Sequence, residues 1–386
     1  MATARLSASA VVLLVLVLVL SAPATARVDG SPSTAYIVVL ESGADPSEVA
    51  GQHARRFGAS VTHVYGHALK GYAALLPAQA VEGIARSPQV AWVEPDGVAS
   101  IDATQTNPPW GLDRIDQRSR PLSGSYTYSN TGAGVKAYVI DTGIRLSHTQ
   151  FGGRAITGYD AVTSGGSAND CNGHGTHVAG TVGGSTYGVA KSVTLVAVRV
   201  LSCSGSGTWS QVIAGIDWVA ADHATGQPAV ANLSLGGGAN SAVDLAVQNM
   251  IADGVSTAVA AGNGNRGGRQ QNACSYSPAR VPEAMTIGAT DSTDRKASWS
   301  NYGSCVDWFA PGVSILSAWY TSDTATNTIS GTSMATPHTA GVTALYLQSN
   351  PGASAATVRN ALYDKTTKGI VTSSSTANNH LLFTDY

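Results

Sequence analysis

The feature that most constrains the fold of this sequence is an alternation of short apolar runs with stretches of helical periodicity after residue 103. The apolar runs are Val135–Ile140, Val193–Leu201, Ala229–Leu235, Val255–Ala261 and Ala284–Gly288. Their length and continuous apolar character are typical of parallel strands that are buried on both faces. Strands that alternate with helices form a parallel sheet with helices on both faces, so the sequence predicts an α/β fold.

Three helices are predicted between and after these runs. The first covers Trp209–Ala224, and the second is opened by Ser241, with Asp244 three residues later as its capping partner. A long apolar helix follows Ser333 and ends near Asn350. In such a fold, reactive groups are expected to cluster outside the carboxyl ends of the strands.

The first 26 residues have the organisation of a secretory signal peptide. Arg5 precedes ten apolar residues, Val11–Leu20, and the small residues Ala24-Thr25-Ala26 follow as a cleavage site. An uncleaved amino-terminal anchor is the alternative, although ten apolar residues are fewer than the about 20 that span a bilayer. We therefore expect residues 1–26 to be removed and the protein to be secreted.

Residues 27–102 carry a separate pattern of strands and helices. The predicted order is strand Tyr36–Leu40, helix Pro46–Phe57, strands Ser60–Tyr65 and Gly71–Leu76, helix Ala78–Arg86 and strand Val90–Glu94. This βαββαβ order predicts a small ferredoxin-like α+β unit. The stretch Gly97–Pro109 has little periodicity and is predicted to be the linker to a second domain, residues 103–386.

Composition excludes some classes of function. The chain has 22 Lys and Arg against 24 Asp and Glu, and 16 of each sign fall after residue 102. A chain so close to neutral has no electrostatic footprint for nucleic acid. All four cysteines also fall after residue 102, and an even number suits two disulfides in an exported protein. The count alone leaves three pairings open.

Three short motifs carry residues that could act together. Asp141 ends an apolar strand, His174 lies in the tract NGHGTHVAG, and Ser333 lies in GTSMATPH. A zinc site is disfavoured because His174 and His177 lack the glutamate of an H-E-x-x-H motif. Each motif alone is weak, since such residues commonly cap helices or form turns. Their order Asp, His, Ser is specific, because it distinguishes one catalytic triad from the others.

With the tracts VIDTGI, NGHGTHVAG, NLSLGGG, VAAGN and GTSMATPH, the sequence resembles the subtilisin-like serine peptidases. The resemblance runs from about Tyr36 to the end and is to the proteinase K-like and aqualysin-like secreted branch. It implies a subtilisin-like parallel sheet and a secreted serine endopeptidase that is made as an autoprocessed zymogen. The G-x-S-x-G motif of α/β-hydrolases is absent from the sequence, which argues against a lipase or esterase.

The resemblance assigns the catalytic roles. Ser333 would be the nucleophile, His174 its base and Asp141 the carboxylate that fixes the histidine tautomer. Asn263, in the tract VAAGN, would donate to the oxyanion together with the backbone N–H of Ser333. A peptidase-like protein without catalysis is the rival hypothesis, but it would be expected to lack one of these residues.

Substrate binding is also implied by the resemblance. Two segments would pair with an extended peptide, and a third would line the primary pocket: Gly205, Ser206 and Gly207; Ser234, Leu235 and Gly236; Ala260, Ala261 and Gly262. Pairing through the backbone gives broad specificity. No acidic residue stands in these segments, so apolar or aromatic side chains are expected to be preferred over basic ones.

Structural calcium and two disulfides follow from the same resemblance, with no catalytic cofactor. One calcium set comprises Asp113, Asp116, Gln117, Ser123 and Ser125, and the other comprises Asp307 with the carbonyl groups of Pro282 and Ala284. Oxygen ligands of these kinds suit calcium, although surface aspartates in water are the alternative. The implied disulfides are Cys171–Cys203 and Cys274–Cys305.

Residues 27–102 resemble the inhibitory prodomain of this family. Such a segment would template folding and cap the active site of its own chain until it is cut off before Ala103. An independent ferredoxin-like module is the alternative. Apart from the prodomain, we expect polypeptide substrates to be the partners of the protein. We expect it to be a monomer that binds no nucleic acid and, after removal of the signal peptide, no membrane.

Overall fold

The computed structural model of the chain describes residues 33–96, 103–265 and 267–386. They form two compact units that divide near residue 100. The predicted signal peptide, residues 1–26, lies outside the described residues, as does Asp102, which precedes the predicted cleavage position.

The first unit is the predicted βαββαβ arrangement. Its elements are β1 (Ser33–Leu40), α1 (Pro46–Phe57), β2 (Ser60–Tyr65), β3 (Gly71–Pro77), α2 (Ala78–Ala85) and β4 (Val90–Pro95). The strands form an antiparallel sheet in the order β2-β3-β1-β4. Its core joins strand residues such as Val38 and Tyr72 to helix residues such as Val49 and Ile84, all of which are fully buried. The two helices therefore cover the sheet.

The second unit contains thirteen strands and six helices among its described residues. In chain order they are β5 (Ala103–Thr106), α3 (Trp110–Ile115), β6 (Ser125–Tyr128), β7 (Lys136–Asp141), β8 (Ala155–Asp160), α4 (His174–Gly183), β9 (Thr194–Arg199), α5 (Trp209–Asp222), β10 (Ala229–Leu233), β11 (Gly237–Gly238), α6 (Ser241–Ala252), β12 (Ser256–Ala260), β13 (Tyr276–Ser277), β14 (Met285–Thr290), β15 (Trp308–Pro311), β16 (Ile315–Ala318), β17 (Thr326–Ile329), α7 (Thr332–Ser349) and α8 (Ala355–Lys365).

A parallel sheet of seven strands is the centre of the second unit. Its order is β15-β14-β12-β10-β7-β9-β8, and every pairing in it is parallel. The five predicted strands are its β7, β9, β10, β12 and β14, so the predicted α/β architecture is confirmed. The two edge strands, β8 and β15, were not predicted, because polar residues and a glycine interrupt AITGYD, while the apolar stretch WFAP is only four residues long.

Helices cover both faces of this sheet. Alternate residues of β7 show the division, since Val139 packs in one core with α4 and α7, while Tyr138 and Ile140 pack in another with α5 and α6. Successive side chains of a strand point to opposite faces, so the two cores lie on opposite sides of the sheet. The residues that follow the carboxyl ends of β7, β10 and β12 therefore lie at the same edge of the sheet.

Two local predictions need correction. The linker predicted over Gly97–Pro109 is too long, because Ala103–Thr106 is a strand that pairs with β6. The partner strand is distant in the sequence, so no local pattern marks the pairing. The capping pair predicted for α6 is also wrong. Asn240 is the N-cap, and its side chain accepts hydrogen bonds from Ala242 N and Val243 N at 3.0 and 3.1 Å, while Asp244 pairs with Arg280.

The cap of α6 gives a stability prediction. Asn240→Ala leaves two N–H groups of the first helical turn without their acceptor, and we expect it to lower the free energy of unfolding by about 1 kcal/mol. Ser241→Ala is the matched control, because Ser241 is exposed and does not cap the helix. Urea unfolding of inhibitor-treated protein measures both values. Equal losses in the two variants would contradict the assignment.

Candidate active site

Three chain segments that are far apart in sequence deliver the candidate catalytic side chains. Asp141 is the last residue of β7, His174 is the first of α4, and Ser333 is the second of α7. The turn after Asp141 requires Gly143, whose φ is +104° and whose position would put a Cβ 2.4 Å from Ala168 O. Only glycine adopts that backbone at low cost, so this turn fixes where the strand ends.

Asp141 and His174 form a hydrogen-bonded pair. His174 Nδ1 lies 2.7 Å from Asp141 Oδ1, which also accepts from Thr142 N at 2.7 Å. Asp141 is fully buried, and its Oδ2 finds no hydrogen-bond partner among the described residues. Burial disfavours the charged imidazole, but the attraction of the Asp141 carboxylate outweighs it and raises the pKa of His174 above its ordinary value. The pair is therefore arranged to accept and stabilise a proton on His174.

A second buried carboxylate, Asp170, organises the same corner and was not predicted. It is 5% exposed. Its two oxygens accept hydrogen bonds from Thr142 Oγ1, Asn172 N, Gly173 N, Thr176 N and Thr176 Oγ1, at 2.6–3.0 Å. Asp170 thus ties the residue after Asp141 to the first turn of α4, where His174 lies. The sequence signal that could have found it is an acidic residue just before the start of a helix.

Ser333 Oγ does not bond to the histidine in this structure. It donates to Ser234 O at 3.0 Å, and Ser234 Oγ donates back to Ser333 O at 2.8 Å. No hydrogen bond joins Ser333 to His174 within the ranges that the structure describes. Catalytic hydrogen bonds are often absent or long without substrate, so the arrangement is compatible with a nucleophile that rotates when a substrate binds.

The side chain of Asn263 is oriented by the residue before Ser333. Thr332 donates to Asn263 Oδ1 twice, from its backbone N and from Oγ1, each at 2.8 Å. The carboxamide oxygen is therefore engaged, and the Nδ2 group remains available to donate. Thr332 was not predicted, although it stands in the same tract as Ser333.

The predicted peptide-binding segments line two neighbouring cavities. The larger, about 720 Å³, is bordered by His174, by 205–207 and by 234–236. The smaller, about 170 Å³, is bordered by 260–262, Asn263 and Ser333. Leu235 and Gly236 border both cavities, so the two are contiguous. The structure thus brings the four candidate catalytic residues and all nine predicted binding residues to one edge of the sheet.

The larger cavity also contains apolar residues that were not predicted. They are Leu201, Trp209 and Val212, and Trp209 lies against Gly237, where an added Cβ would come within 2.7 Å of its ring. The described lining of the smaller cavity is uncharged and mostly small, with Tyr276 as the only aromatic side chain among those residues. Trp209 opens helix α5, and its helical periodicity gave no sign that it borders a cavity.

The two disulfides are Cys171–Cys203 and Cys274–Cys305, the pairs that the resemblance implies. Cys171–Cys203 joins the loop before His174 to the loop that contains Gly205. Asn172 Nδ2 reinforces this link by donating to Cys203 O at 2.9 Å. The disulfide therefore couples the histidine loop to one predicted binding segment.

Hydrogen bonds join four of the five residues of the first predicted calcium set, and Asp116 lies close enough to repel the charge of Asp113. Asp113 accepts from Ser123 N, Ser123 Oγ and Gly124 N, while Ser123 N also donates to Gln117 Oε1 and Ser123 Oγ lies 2.8 Å from Ser125 Oγ. Asp116 Oδ2 accepts from Thr127 N, but Asp116 Oδ1 is buried and pairs with nothing in the described part of the chain. Burial, with the charge of Asp113 adding to it, raises the pKa of Asp116 to about 6. A buried carboxylate oxygen without a partner, close enough to Asp113 for the two charges to repel, fits a cation.

The second predicted set is arranged differently. Asp307 is buried, with Oδ2 accepting from Thr286 N at 2.8 Å and Oδ1 paired with the guanidinium of Arg359. Calcium at this position would have to compete with Arg359 for the carboxylate. Across the described ranges, no three His, Cys, Asp or Glu side chains are grouped so as to hold a metal ion. Neither predicted set depends on such a group, since each has at most two carboxylates.

Comparison with known proteins gives two family matches. The subtilase family profile matches residues 132–382, and the peptidase inhibitor I9 profile matches residues 35–102. An extracellular serine proteinase of Thermus sp. (strain Rt41A) is 58% identical over 330 residues, which cover 85% of this chain and 79% of that protein. Alkaline serine exoprotease A of Vibrio alginolyticus is 53% identical over 329 residues, covering 84% of this chain and 60% of that protein.

A solved structure is similar as well. The crystal structure of a cold-adapted subtilisin-like serine proteinase aligns with a TM-score of 0.68 at 55% identity, covering 72% of this chain and 98% of that one. None of the helices in the described residues combines the length and the hydrophobicity needed to cross a bilayer.

The Asp141–His174 pair gives a titration prediction. In Ser333→Ala protein, which avoids self-digestion, we expect the His174 ring protons to titrate above 6.5, the ordinary imidazole pKa. Asp141→Asn removes the attraction that favours the charged ring, so it should lower that pKa. Nuclear magnetic resonance measures both midpoints.

His177 is the internal control for this titration. Its burial lowers its pKa to about 4, and its Nε2 contacts Ile315 O rather than Asp141. Its midpoint should stay near 4 in both proteins. A His174 midpoint that is unmoved by Asp141→Asn would refute the proposed coupling.

Proposed function

The chain belongs to the subtilase family and is a subtilisin-like serine peptidase; on this premise we propose that Asp141, His174 and Ser333 are its catalytic triad and Asn263 its side-chain oxyanion donor. The observation that carries the proposal is the 2.7 Å contact between His174 Nδ1 and Asp141 Oδ1, at the edge of the cavities that Ser333 and Asn263 border.

The nucleophile and its base act in sequence. Asp141 accepts a hydrogen bond from the Nδ1–H group of His174, which keeps the ring proton on Nδ1 and leaves Nε2 unprotonated and able to take the proton of Ser333. As substrate binds, Ser333 Oγ leaves Ser234 O, bonds to His174 and attacks the carbonyl carbon of the peptide. His174 then gives the proton to the departing amine, and water hydrolyses the acyl-enzyme by the same route.

The oxyanion that forms during attack needs donors that are already in position. Asn263 Nδ2 is one donor, because Thr332 holds the other end of the carboxamide. The backbone N–H of Ser333, in the first turn of α7, is the second, because such groups are not used inside the helix. Donors that are fixed before reaction stabilise the developing charge without reorganisation.

The cavities support an extended polypeptide as substrate. The segments 205–207 and 234–236 border the larger cavity on two sides, where a peptide can pair through its backbone. Among the residues that the structure describes, the lining of the smaller cavity next to Ser333 has no charged side chain, so it favours apolar or aromatic side chains of the substrate. We therefore propose an endopeptidase of broad specificity.

The amino-terminal part supports synthesis as a zymogen. The match of residues 35–102 to the peptidase inhibitor I9 family supports an inhibitor that acts on the peptidase domain of its own chain. We propose a signal peptide at 1–26, the inhibitory prodomain at 27–102 and the peptidase at 103–386, with autoprocessing before Ala103. The extracellular location named for the Thermus relative supports secretion, and we propose that the mature enzyme is a monomer.

Structural calcium is part of the proposal. Asp113, Asp116, Gln117, Ser123 and Ser125 would hold the first ion, which would neutralise the buried Asp116 carboxylate. Asp307, with the carbonyl groups of Pro282 and Ala284, would hold a second ion only if Arg359 moves away. Calcium would stabilise the loops and take no part in the chemical step.

Substitution of the nucleophile tests the proposed function. Ser333→Ala should lower casein hydrolysis by about 10⁶-fold, the size of effect known for this family rather than one calculated for this chain. Wild-type protein treated with a serine-directed inhibitor should show a matching loss. Casein hydrolysis that survives Ser333→Ala in purified protein would defeat the assignment.

The first calcium site gives a pH-dependent prediction. Without calcium, the raised pKa of Asp116 means that its ionised form disfavours the folded state above about pH 6. Calcium relieves this cost, and protons compete with it at lower pH. The gain in melting temperature from calcium over chelator should therefore be largest at pH 7–8 and shrink as the pH falls through about 6.

Two variants sharpen this measurement. Asp116→Asn should remove most of the calcium-dependent gain, whereas Asp217→Asn, at an exposed position of α5, should leave it unchanged. A gain that is equal at all pH values, or that persists in Asp116→Asn, would contradict calcium at this set.

A further inference from the structure

A buried asparagine, Asn301, is hydrogen-bonded to the turn that carries Asn263. It is 1% exposed. Its backbone N donates to Gly262 O at 2.9 Å, and its Nδ2 donates to Ala261 O at 2.8 Å. Its Oδ1 accepts from Gly264 N at 3.0 Å. Asn301 thus holds the residues on both sides of Asn263.

The turn itself has little intrinsic preference for its conformation. Gly262 and Gly264 flank Asn263 with φ of +98° and +78°. Glycine adopts positive and negative φ about equally well, so the sequence of the turn does not by itself fix its conformation. A Cβ on Gly262 would lie 2.5 Å from Asn301 Nδ2, so the backbone passes as close to Asn301 as a glycine permits.

Asn301 also ties down the far end of the same loop. Its Oδ1 accepts a second hydrogen bond from Gln271 N at 2.8 Å. One carboxamide therefore joins the beginning of the loop, at Ala261 and Gly264, to its return at Gln271. The position uses the Nδ2 group of the carboxamide as a donor to one partner and the Oδ1 atom as an acceptor for two.

We propose that Asn301 is a positioning residue for transition-state stabilisation: it holds the backbone of the Ala261–Gly264 turn so that Asn263 Nδ2 points at the developing oxyanion. The inference rests on the proposed role of Asn263. Thr332 orients the Asn263 side chain from one side, and Asn301 sets the backbone from the other. Neither contact substitutes for the other.

Two substitutions remove different numbers of the side-chain hydrogen bonds of Asn301. Asn301→Ala leaves Ala261 O, Gly264 N and Gln271 N without their buried partner. Asn301→Asp keeps the acceptor for the two N–H groups but replaces the donor with a carboxylate oxygen that repels Ala261 O, so it breaks one side-chain contact of the three. Ser300→Ala is the matched control. Ser300 is buried next to Asn301, and its hydroxyl accepts from Ala289 N and donates to Asn301 O at 3.4 Å, but it makes no hydrogen bond to the described residues of the turn.

The expected effect lies in turnover. A misplacement of about 1 Å can cost about 10²-fold in rate. We therefore expect kcat of both Asn301 variants to fall about 10- to 100-fold, with KM changed less than about threefold, relative to Ser300→Ala. Peptide hydrolysis is measured on mature enzyme, with active sites counted by titration with a serine-directed inhibitor, so that misfolded protein does not enter kcat.

A double-variant test separates positioning from general loss of structure. In an Asn263→Ala background, the donor is gone, so Asn301→Asp should lower kcat less than twofold further. A loss that multiplies with that of Asn263→Ala would overturn the proposal, as would kcat of both Asn301 variants within threefold of Ser300→Ala.

Asn263→Ala measured alone keeps the two hypotheses apart. It should lower kcat by about 10²- to 10³-fold, the loss known for removal of this donor in the family. An unchanged kcat would contradict the proposed oxyanion role itself. A reduced kcat together with normal Asn301 variants would contradict only the inference about Asn301.

Discussion

The site depends on one buried interaction, the hydrogen bond between Asp141 and His174. A carboxylate that is fully withdrawn from water is costly unless donors compensate it. Here the N–H of Thr142 and the imidazole of His174 supply two donors to Oδ1, both at 2.7 Å, while the buried Oδ2 has no partner among the described residues. The pair exists because the parallel sheet ends β7 where α4 begins. Asp170 then locks these two segments to each other, so the histidine has little freedom to leave its carboxylate.

Around the nucleophile, too, a few segments position several functional groups at once. The first turn of α7 supplies Ser333 and, through Thr332, the orientation of Asn263. The loop after β10 supplies Ser234, which exchanges two hydrogen bonds with Ser333. Displacing any of these loops would therefore disturb the nucleophile, the oxyanion donor and the walls of the cavities together.

Much of the architecture could be predicted from the sequence because its signals are local. The βαββαβ order, the five central strands and the helix after Ser333 follow from contiguous periodicity. The catalytic candidates also stand in short tracts. What could not be predicted depends on partners distant in the chain. Asn301 meets Ala261 across 40 residues, and Arg359 meets Asp307 across 52. The observed N-cap of α6, Asn240, lies one residue before the start that was predicted at Ser241. Both residue types are good caps, and the extended backbone at Asn240 shows which of them caps the helix.

The central claim is that Ser333, activated by His174, attacks the substrate. The most direct measurement is the site of covalent labelling by a fluorophosphonate, located by peptide mass spectrometry, with its rate followed against pH. The account predicts a single adduct on Ser333, formed at a rate that falls on the acid side with the titration of His174. An adduct on another residue, or labelling of Ser333 that is independent of pH in that range, would contradict it.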